Sequence, residues 1–411
     1  MRTVSKTVIG VDFGTQSARA VLVNAENGEI IYSCRKEYPY NSTPVPAIDC
    51  AENLPCATDY EMTLYELLRN VIPEEYRKTV AGICVDATSL TMVLLAEDGR
   101  ALSELDGWSE AAHARVKLWK YHRAQEKADE ALNLARNLQE PFLGRTGGSI
   151  SCEWMLPKLL EVRDEAPEIY SKIDLAMDLC EFLTFRLTGQ LVRSIGSLSY
   201  KCLWAEDLSF PERTFLNGLR AGFYEEYCHF LRGDVRKLGE CAGVLRSELT
   251  KRWGLPEQIP VATGMLDGHT SLATMGAFEP GDAALIVGTS NVCTVQDRKL
   301  QELKDVCGVA QDGMVTGSCG IDTGQSSTGN MLGWFVEHMA GWQIHREAEE
   351  RKISPHQVLA ERIQKPWENK VIAVDWWSGS RNAPCDLTLR GSMSGLEMDT
   401  KTEDIYLALL Q

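Results

Sequence analysis

The sequence predicts a mixed α/β protein built from two related domains. A pattern of strand, Gly-Thr turn and strand occurs at residues 7–23 and again at residues 281–295. Strands alternate with helices after the first pattern, which is the order of elements in mixed α/β domains. The chain of 411 residues is also longer than one typical domain. We therefore predict an internal duplication, with a first domain at residues 1–275 and a second at residues 276–411.

The charge balance argues against several classes of partner. The chain has 42 Lys and Arg residues against 58 Asp and Glu residues, a net charge of −16. Nucleic acids and anionic membranes are polyanions and would be repelled, so neither is predicted as a partner. No apolar run in the sequence approaches membrane-spanning length. Thirteen cysteines without a C-x-x-C pair predict reduced thiols and a cytoplasmic protein.

The first hairpin combines two apolar strands, at residues 8–11 and 20–23, with a polar turn at residues 14–17. Gly14 lets the backbone approach a ligand closely, and the N–H groups and hydroxyls of such a turn can hold phosphate oxygens. Asp12 ends the first strand, where a carboxylate can hold Mg²⁺ through water. The alternative interpretation is a surface hairpin with an ordinary turn.

The rest of the first domain is predicted from its apolar patterns and its turn residues. In chain order, the predicted elements are a strand at 29–34, a helix at 59–71, a strand at 80–86, a helical tract at 109–137 and a helix at 174–187. The tract at 109–137 is mostly charged and contains Trp119. The helix at 174–187 is followed by Gly189, a residue typical of helix C-termini.

Two polar residues in the first domain stand in surroundings that indicate a site. Lys201 lies between Tyr200 and Trp204, which favours a lysine in the wall of a pocket over a lysine exposed on the surface. Asp267 follows a strand and precedes Gly268 at a helix start, so it is either the helix N-cap or a carboxylate open to a ligand. His269 has no second histidine at ligand spacing and is predicted to be a structural residue.

The second domain begins with the repeated hairpin, whose turn contains Gly288 and a following Thr-Ser pair. A polar segment at residues 320–327 precedes a helix that carries Trp334 and Phe335, expected on one face. The last pattern, at residues 402–411, is an apolar helix without a C-cap or a polar tail. We expect the second domain to be incomplete, with the apolar side chains of this helix left exposed.

Taken together, these motifs resemble the FGGY carbohydrate kinases. The resemblance rests on the paired hairpins, the segment ATGMLD at residues 262–267 and the segment GSMSGL at residues 391–396. It implies a duplicated ribonuclease H-like fold, as in actin and hexokinase, and phosphorylation of a sugar or polyol with MgATP. The segments at residues 118–122, 151–158, 200–201 and 324–326 look most like those of ribulokinases.

The resemblance also implies roles for individual residues. Asp267 matches the catalytic base. Substrate-binding residues are expected at Ala87, Thr88, Trp119, Lys120, Lys201, Asp267 and Asp322. ATP-binding residues are expected at Gly14, Thr15, Gln16, Gly288, Thr289, Ser290 and Gln325. Asp12 and Asp267 are expected on the Mg²⁺ side. Two positions depart from the ribulokinase pattern, which usually has Glu in place of Asp322 and Asp in place of Tyr121.

The predicted function is an ATP-dependent kinase that phosphorylates the terminal hydroxyl of a ketopentose, with ribulose as the leading substrate. Two alternatives remain open: a sugar-binding fragment or regulator of the same fold without catalysis, and a kinase for xylulose or a pentitol. The expected partners are the sugar and ATP, and a homodimer is one assembly open to the chain. The family's adenosine-binding segment is expected beyond residue 411.

Overall fold

The computed structural model describes residues 5–38, 54–288, 290–304, 306–364, 366–382, 386 and 388–411. The elements of the first domain, in chain order, are β1 (Thr7–Phe13), β2 (Ser17–Asn24), β3 (Ile30–Glu37), α1 (Ala57–Val71), β4 (Val80–Ala87), β5 (Met92–Leu95), α2 (Gln125–Leu138), α3 (Met155–Glu165), α4 (Pro167–Tyr170), β6 (Leu175–Asp178), α5 (Leu179–Thr188), β7 (Val192–Ser194), α6 (Ile195–Lys201), α7 (Arg213–Leu219), α8 (Phe223–Phe230), β8 (Asp234–Arg236), β9 (Cys241–Val244), α9 (Ser247–Trp253), β10 (Pro260–Ala262), β11 (Met265–Leu266) and α10 (Asp267–Met275).

The second domain follows with β12 (Ala283–Val287), β13 (Asn291–Asp297), β14 (Gly308–Gln311), β15 (Cys319–Gln325), α11 (Gly329–His338), α12 (Gly341–Arg351), α13 (Pro355–Arg362), β16 (Ile372–Val374), β17 (Ser392–Ser394) and α14 (Thr402–Leu410).

A seven-stranded sheet organises the first domain. Its order is β3-β2-β1-β4-β10-β9, and β11 also pairs with β4. Strands β1 to β3 form an antiparallel meander, whereas β4 runs parallel to β1. Alternate residues of β1 are buried, as the period of a strand with one covered face requires. Helices α1 and α5 pack on the sheet and complete the main apolar core.

A four-stranded antiparallel sheet, in the order β12-β13-β15-β14, organises the second domain. The hairpin β12–β13 continues into a third antiparallel strand, as β1–β2 does in the first domain. The predicted hairpins and the predicted α/β architecture with two domains are therefore confirmed. The exact boundary at residues 275 and 276 stays a prediction.

The prediction of a helical tract at residues 109–137 is wrong over its first half, because only α2 is helical there. Residues 109–124 form turns, and Lys117 pairs with Met92 of β5 through two backbone hydrogen bonds of 2.9 and 3.1 Å. This pairing with a distant strand satisfies the backbone groups that a helix would otherwise pair locally.

The prediction of a helix at residues 174–187 is also wrong at its start. Residues Leu175–Asp178 form β6, which pairs antiparallel with β5. Asp178 then caps α5, since its carboxylate accepts a hydrogen bond from the Leu179 N–H at 2.8 Å. A good N-cap therefore begins the helix five residues later than its apolar pattern indicated.

Helix α14 forms where it was predicted, but most of its apolar side chains are not exposed. Tyr406 and Leu409 are buried in a cluster with residues of α11 and α13, and only Leu410 is about half exposed. The expectation of an exposed apolar patch on this helix is therefore wrong.

The prediction that Trp334 and Phe335 of α11 share a face is also wrong, because consecutive helical residues point about 100° apart and only Phe335 is buried.

Within the described ranges, no helix is both long and apolar enough to cross a membrane. The cysteines that the structure describes are free thiols.

Candidate active site

A cavity of about 720 Å³ lies between the two domains. It opens at the carboxyl ends of β1 and β4 and is closed on the other side by residues of β13 and β15. Such an edge is the usual place for a ligand in α/β folds. The predicted site residues that line it are Asp12, Gly14, Thr15, Thr88, Trp119, Lys201, Asp267, Gly288, Ser290 and Asp322.

Other predicted residues lie away from this cavity wall. Ala87 is fully buried in the core at the end of β4. Gln325 is exposed at the end of β15 and accepts a hydrogen bond from the Asn291 side chain at 3.3 Å. Gln16 and Lys120 are not part of the wall, and Thr289 lies outside the described residues. The roles assigned to these residues stay predictions.

Three carboxylates lie at the same edge of the first sheet. Asp12 lies beside Asp86 in the parallel pairing of β1 and β4, and β11 brings Asp267 to the same edge. Burial, with the charge of Asp12 and a hydrogen bond to it, raises the pKa of Asp86 to about 8. These surroundings favour the protonated form of Asp86.

Asp267 is the first residue of α10, and Leu266 occupies the N-cap position. Its Oδ1 atom accepts a hydrogen bond from the Gly268 N–H at 2.6 Å, and the backbone of Ser89 also donates to this carboxylate. Burial raises the pKa of Asp267 to about 6. A carboxylate that faces the cavity with a pKa near neutrality is suited to accept a proton from a bound hydroxyl.

An ion pair joins the two domains across the cavity. The Lys201 Nζ atom lies 3.3 Å from the Asp322 Oδ2 atom, and both side chains are nearly buried. Burial favours the neutral form of Asp322, but Lys201 and His269 outweigh it and hold the pKa of Asp322 at about 2. Both groups of the pair are therefore charged.

Tyr200 fixes the position of this pair. Its hydroxyl donates to the Gly320 carbonyl at 2.7 Å, and its ring packs against Gly308, Gly313 and Gly320 of the second domain. A Cβ atom at these three positions would lie 2.7, 2.6 and 2.5 Å from Tyr200 atoms, closer than side chains approach each other. Glycine is therefore required at these three positions, because it allows Tyr200 to pack closely on the second domain and so places the neighbouring Lys201 beside Asp322.

A second contact between the domains runs through Arg381. Its guanidinium lies 3.1 Å from the Glu153 carboxylate and 4.9 Å from the centre of the Trp119 ring. Glu153 also contacts His122 at 3.1 Å. Burial would raise the pKa of Glu153, but Arg381 and His122 outweigh it and hold the value at about 2. The Trp119 Nε1 atom donates to the Thr15 hydroxyl at 3.1 Å, so this cluster reaches the first hairpin turn.

Four buried polar atoms of residues in the cavity wall have no hydrogen-bond partner among the described residues. They are His269 Nδ1, Ser89 Oγ, Asn291 Oδ1 and Arg381 Nε. His269 also places Nε2 3.8 Å from Asp322 and packs its ring edge on Tyr200. Its Nδ1 atom therefore departs from the satisfied histidine that the sequence predicted, whereas its structural role stays a prediction.

The cavity wall also contains residues to which the sequence analysis assigned no role in the site, namely Asp86, Ser89, Arg381 and, within the ribulokinase-like segment at residues 151–158, Ser151, Glu153 and Trp154. The sequence pattern could have predicted Asp86 as a site residue, since it lies near the end of a strand next to the strand of Asp12. No sequence pattern could have predicted Arg381, because it lies in a loop and reaches Glu153 from 228 residues away.

The described residues contain no cluster of three or more histidine, cysteine or acidic side chains that could hold a metal directly. The donors at the cavity floor are nevertheless oxygens, which Mg²⁺ prefers, and Mg²⁺ usually keeps several of its waters. The site therefore fits a Mg²⁺ ion that contacts the protein through water.

Comparison with known families matches nearly the whole chain. The N-terminal domain of the FGGY family of carbohydrate kinases matches residues 7–275, and the C-terminal domain of that family matches residues 283–411. A ribulokinase from Halalkalibacterium halodurans is 33% identical over an alignment of 417 residues that covers 99% of this chain and 74% of that protein. A ribulokinase from Mycolicibacterium smegmatis is 35% identical over 418 residues, with the same two coverages.

Solved structures agree on the fold. A xylulose kinase from Rhodospirillum rubrum superposes with a TM-score of 0.74 at 20% identity, covering 98% of this chain and 76% of its own. A Plasmodium falciparum glycerol kinase with ADP superposes with a TM-score of 0.75 at 16% identity. The superposition covers 99% of this chain and 76% of the glycerol kinase.

Proposed function

Because the chain belongs to the FGGY family of carbohydrate kinases, we propose that it transfers the γ-phosphate of ATP to the terminal hydroxyl of a ketopentose. Ribulose is the proposed substrate, and ribulose 5-phosphate is the product. The observation that carries the proposal is the cavity in which Asp267 and the Lys201–Asp322 pair face the turns of both hairpins. The ribulokinases among its relatives support the choice of sugar.

Asp267 is the proposed general base. Phosphoryl transfer needs an acceptor hydroxyl in line with the phosphate, and it proceeds with little further covalent assistance from the protein. The Asp267 carboxylate accepts the hydroxyl proton as the new O–P bond forms. The hydrogen bonds from Gly268 and Ser89 hold the carboxylate in place before the sugar arrives.

The sugar is held by groups on both sides of the cavity. Lys201 donates to its oxygens, and Asp322 accepts from its hydroxyls. His269 Nδ1 and Ser89 Oγ, which lack partners among the described residues, bind further hydroxyls. A site whose buried polar groups are completed only by the sugar disfavours analogues that lack those hydroxyls, because the groups then stay unpaired.

ATP is proposed to place its phosphates between the two hairpin turns. The backbone and hydroxyls at residues 14–16 and 288–290 hold phosphate oxygens there, and Gln325 lies beside the second turn. Asp12 and Asp267 hold Mg²⁺ through water, and the ion when bound neutralises charge on the phosphates. A cytoplasmic location is proposed as well, because the cysteines that the structure describes are free thiols.

The test is a kinase assay in which ADP formation is measured with L-ribulose, D-ribulose, D-xylulose and ribitol. We expect the highest kcat/KM with one enantiomer of ribulose. A preference for xylulose or ribitol would overturn the proposed sugar and leave the reaction class intact. Saturable sugar binding without turnover, measured by calorimetry on the same protein, would instead favour a regulator that binds the sugar.

Lys201→Ala is expected to weaken ribulose binding about ten- to a hundredfold, because a buried charged hydrogen bond contributes roughly 1.5–3 kcal/mol. ATP affinity should stay nearly unchanged. The control is Lys237→Ala, which removes another ion pair between the domains, at 2.8 Å from Asp312, that lies outside the cavity. Equal ribulose affinity in the Lys201 variant and the wild-type protein would show that the lysine is structural.

Arg381→Ala is expected to raise the KM for ribulose about tenfold, with a smaller effect on kcat, because Trp119 and Glu153 lose the group that orders them. Arg381→Lys should restore only part of this loss, since lysine lacks the planar fork. The matched control is Arg346→Ala, which removes a guanidinium 4.6 Å from the exposed Trp342 ring. An unchanged KM in Arg381→Ala would contradict the positioning role.

A further inference from the structure

A second cavity, of about 480 Å³, lies on the first domain away from the proposed sugar site. Its walls come from three segments: the last turns of α1, the short helical turn Glu74–Thr79 and the end of α9. None of its lining residues belongs to the cavity between the domains. The residues that line it are Met62, Tyr65, Glu66, Leu68, Arg69, Ile72, Arg77, Arg252 and Trp253.

Three arginines dominate the charge of this second cavity. Arg69, Arg77 and Arg252 each come from a different segment, and none of them makes an ion pair within the described part of the chain. The acidic residue in the wall, Glu66, is already paired with Lys36 at 2.7 Å. The cavity is therefore a local positive site on a chain whose net charge is −16.

Helix geometry alone does not explain this arrangement. Basic residues in the last turn of a helix are stabilised by the helix dipole, which accounts for Arg69 in α1 and Arg252 in α9. It does not account for their convergence on one cavity. Arg77 is likewise a basic residue in the last turn of the short helix Glu74–Thr79, and its side chain lies over Gly254 in the turn after α9.

The rest of the wall indicates the shape of a ligand. The Arg252 guanidinium lies 5.8 Å from the centre of the Tyr65 ring, and that ring packs on Trp253 with centroids 5.9 Å apart. Leu68, Ile72 and Trp253 are buried members of the main core, so this floor is part of a rigid scaffold. The cavity combines an apolar and aromatic floor with three guanidinium groups at its walls.

From this combination we infer a second binding site, for the phosphate group of a small phosphorylated molecule. Guanidinium groups bind phosphate oxygens in pairs, and a dianion with three free oxygens can engage three arginines at once. A cavity volume of several hundred Å³ is in the range of small-molecule sites. The inference does not depend on the proposed kinase reaction, because none of these residues contacts the sugar cavity.

The test uses the full chain and inorganic phosphate as the probe, with binding followed by ³¹P NMR at low ionic strength and without sugar or ATP. The variant is Arg77→Ala/Arg252→Ala. Its control is Arg236→Ala/Arg346→Ala, which removes the same net charge from exposed positions elsewhere. We expect saturable binding to the wild-type protein, unchanged affinity in the control and a loss of at least about tenfold in the Arg77/Arg252 variant.

Competition identifies the molecule that carries the phosphate. Ribulose 5-phosphate and ADP are added separately to the phosphate-loaded protein, and the stronger competitor shows whether the source is a sugar phosphate or a nucleotide. Competition by succinate as strong as by either would overturn the assignment to phosphate. No saturable binding to the wild-type protein, or equal binding to the Arg77/Arg252 variant, would overturn the site itself. Kinase activity enters none of these outcomes.

Discussion

Asp267→Asn is expected to lower kcat for ribulose phosphorylation by ~10²–10⁴, the usual contribution of a general base. The amide keeps the size of the carboxylate and its hydrogen bond from the Gly268 N–H. It cannot accept the proton that the sugar hydroxyl loses. Ribulose affinity, measured by calorimetry without ATP, should therefore change much less than kcat.

The control for this substitution is Asp234→Asn, at an exposed position on β8 whose carboxylate pairs with Arg236. It should leave kcat unchanged. If Asp267→Asn kept more than a tenth of the wild-type kcat, the carboxylate would not be the base. If ribulose binding were lost together with kcat, Asp267 would serve mainly to bind the sugar.

Arg193→Met is expected to lower the free energy of unfolding of the first domain by about 3–5 kcal/mol, because it leaves a buried carboxylate without its cation. Arg193 is fully buried and lies 2.8 Å from Glu181, at the start of α5. It also donates to the carbonyls of Ala176, Phe230 and Arg232 at 2.9, 2.7 and 2.9 Å. The measurement is urea unfolding followed by circular dichroism.

The matched control for Arg193→Met is Arg236→Met, which breaks an exposed ion pair on the neighbouring strand. Exposed pairs contribute about 0–1 kcal/mol, so its unfolding midpoint should hardly move. Arg193 also precedes α6, the helix that ends at Lys201. Weaker ribulose binding in the folded Arg193 variant would show that this network helps to position the sugar site. A loss below 1 kcal/mol would contradict the importance of the buried pair.

Local patterns were sufficient to predict the two hairpins and the helix that begins at Asp267. Each of these elements is decided by residues close together in the chain: apolar strands around a polar turn, or a strand followed by glycine at a helix start. Local patterns also selected Asp12 and Asp267 at the ends of strands and Lys201 between aromatic residues, whereas Asp322 was selected only through the resemblance to the carbohydrate kinases. The structure brings these four side chains to one cavity.

Tertiary contacts decided what local patterns could not. Residues 109–124 resemble a helix in composition but form turns, because Lys117 pairs with the distant strand β5. Arg381 reaches Glu153 and Trp119 only because the second domain folds against the first. The three arginines of the second cavity come from separate segments that meet only in the folded domain. The sequence by itself therefore determined the elements and most reactive groups, whereas the tertiary structure decided which distant side chains surround them, since burial and ion pairing depend on the whole fold.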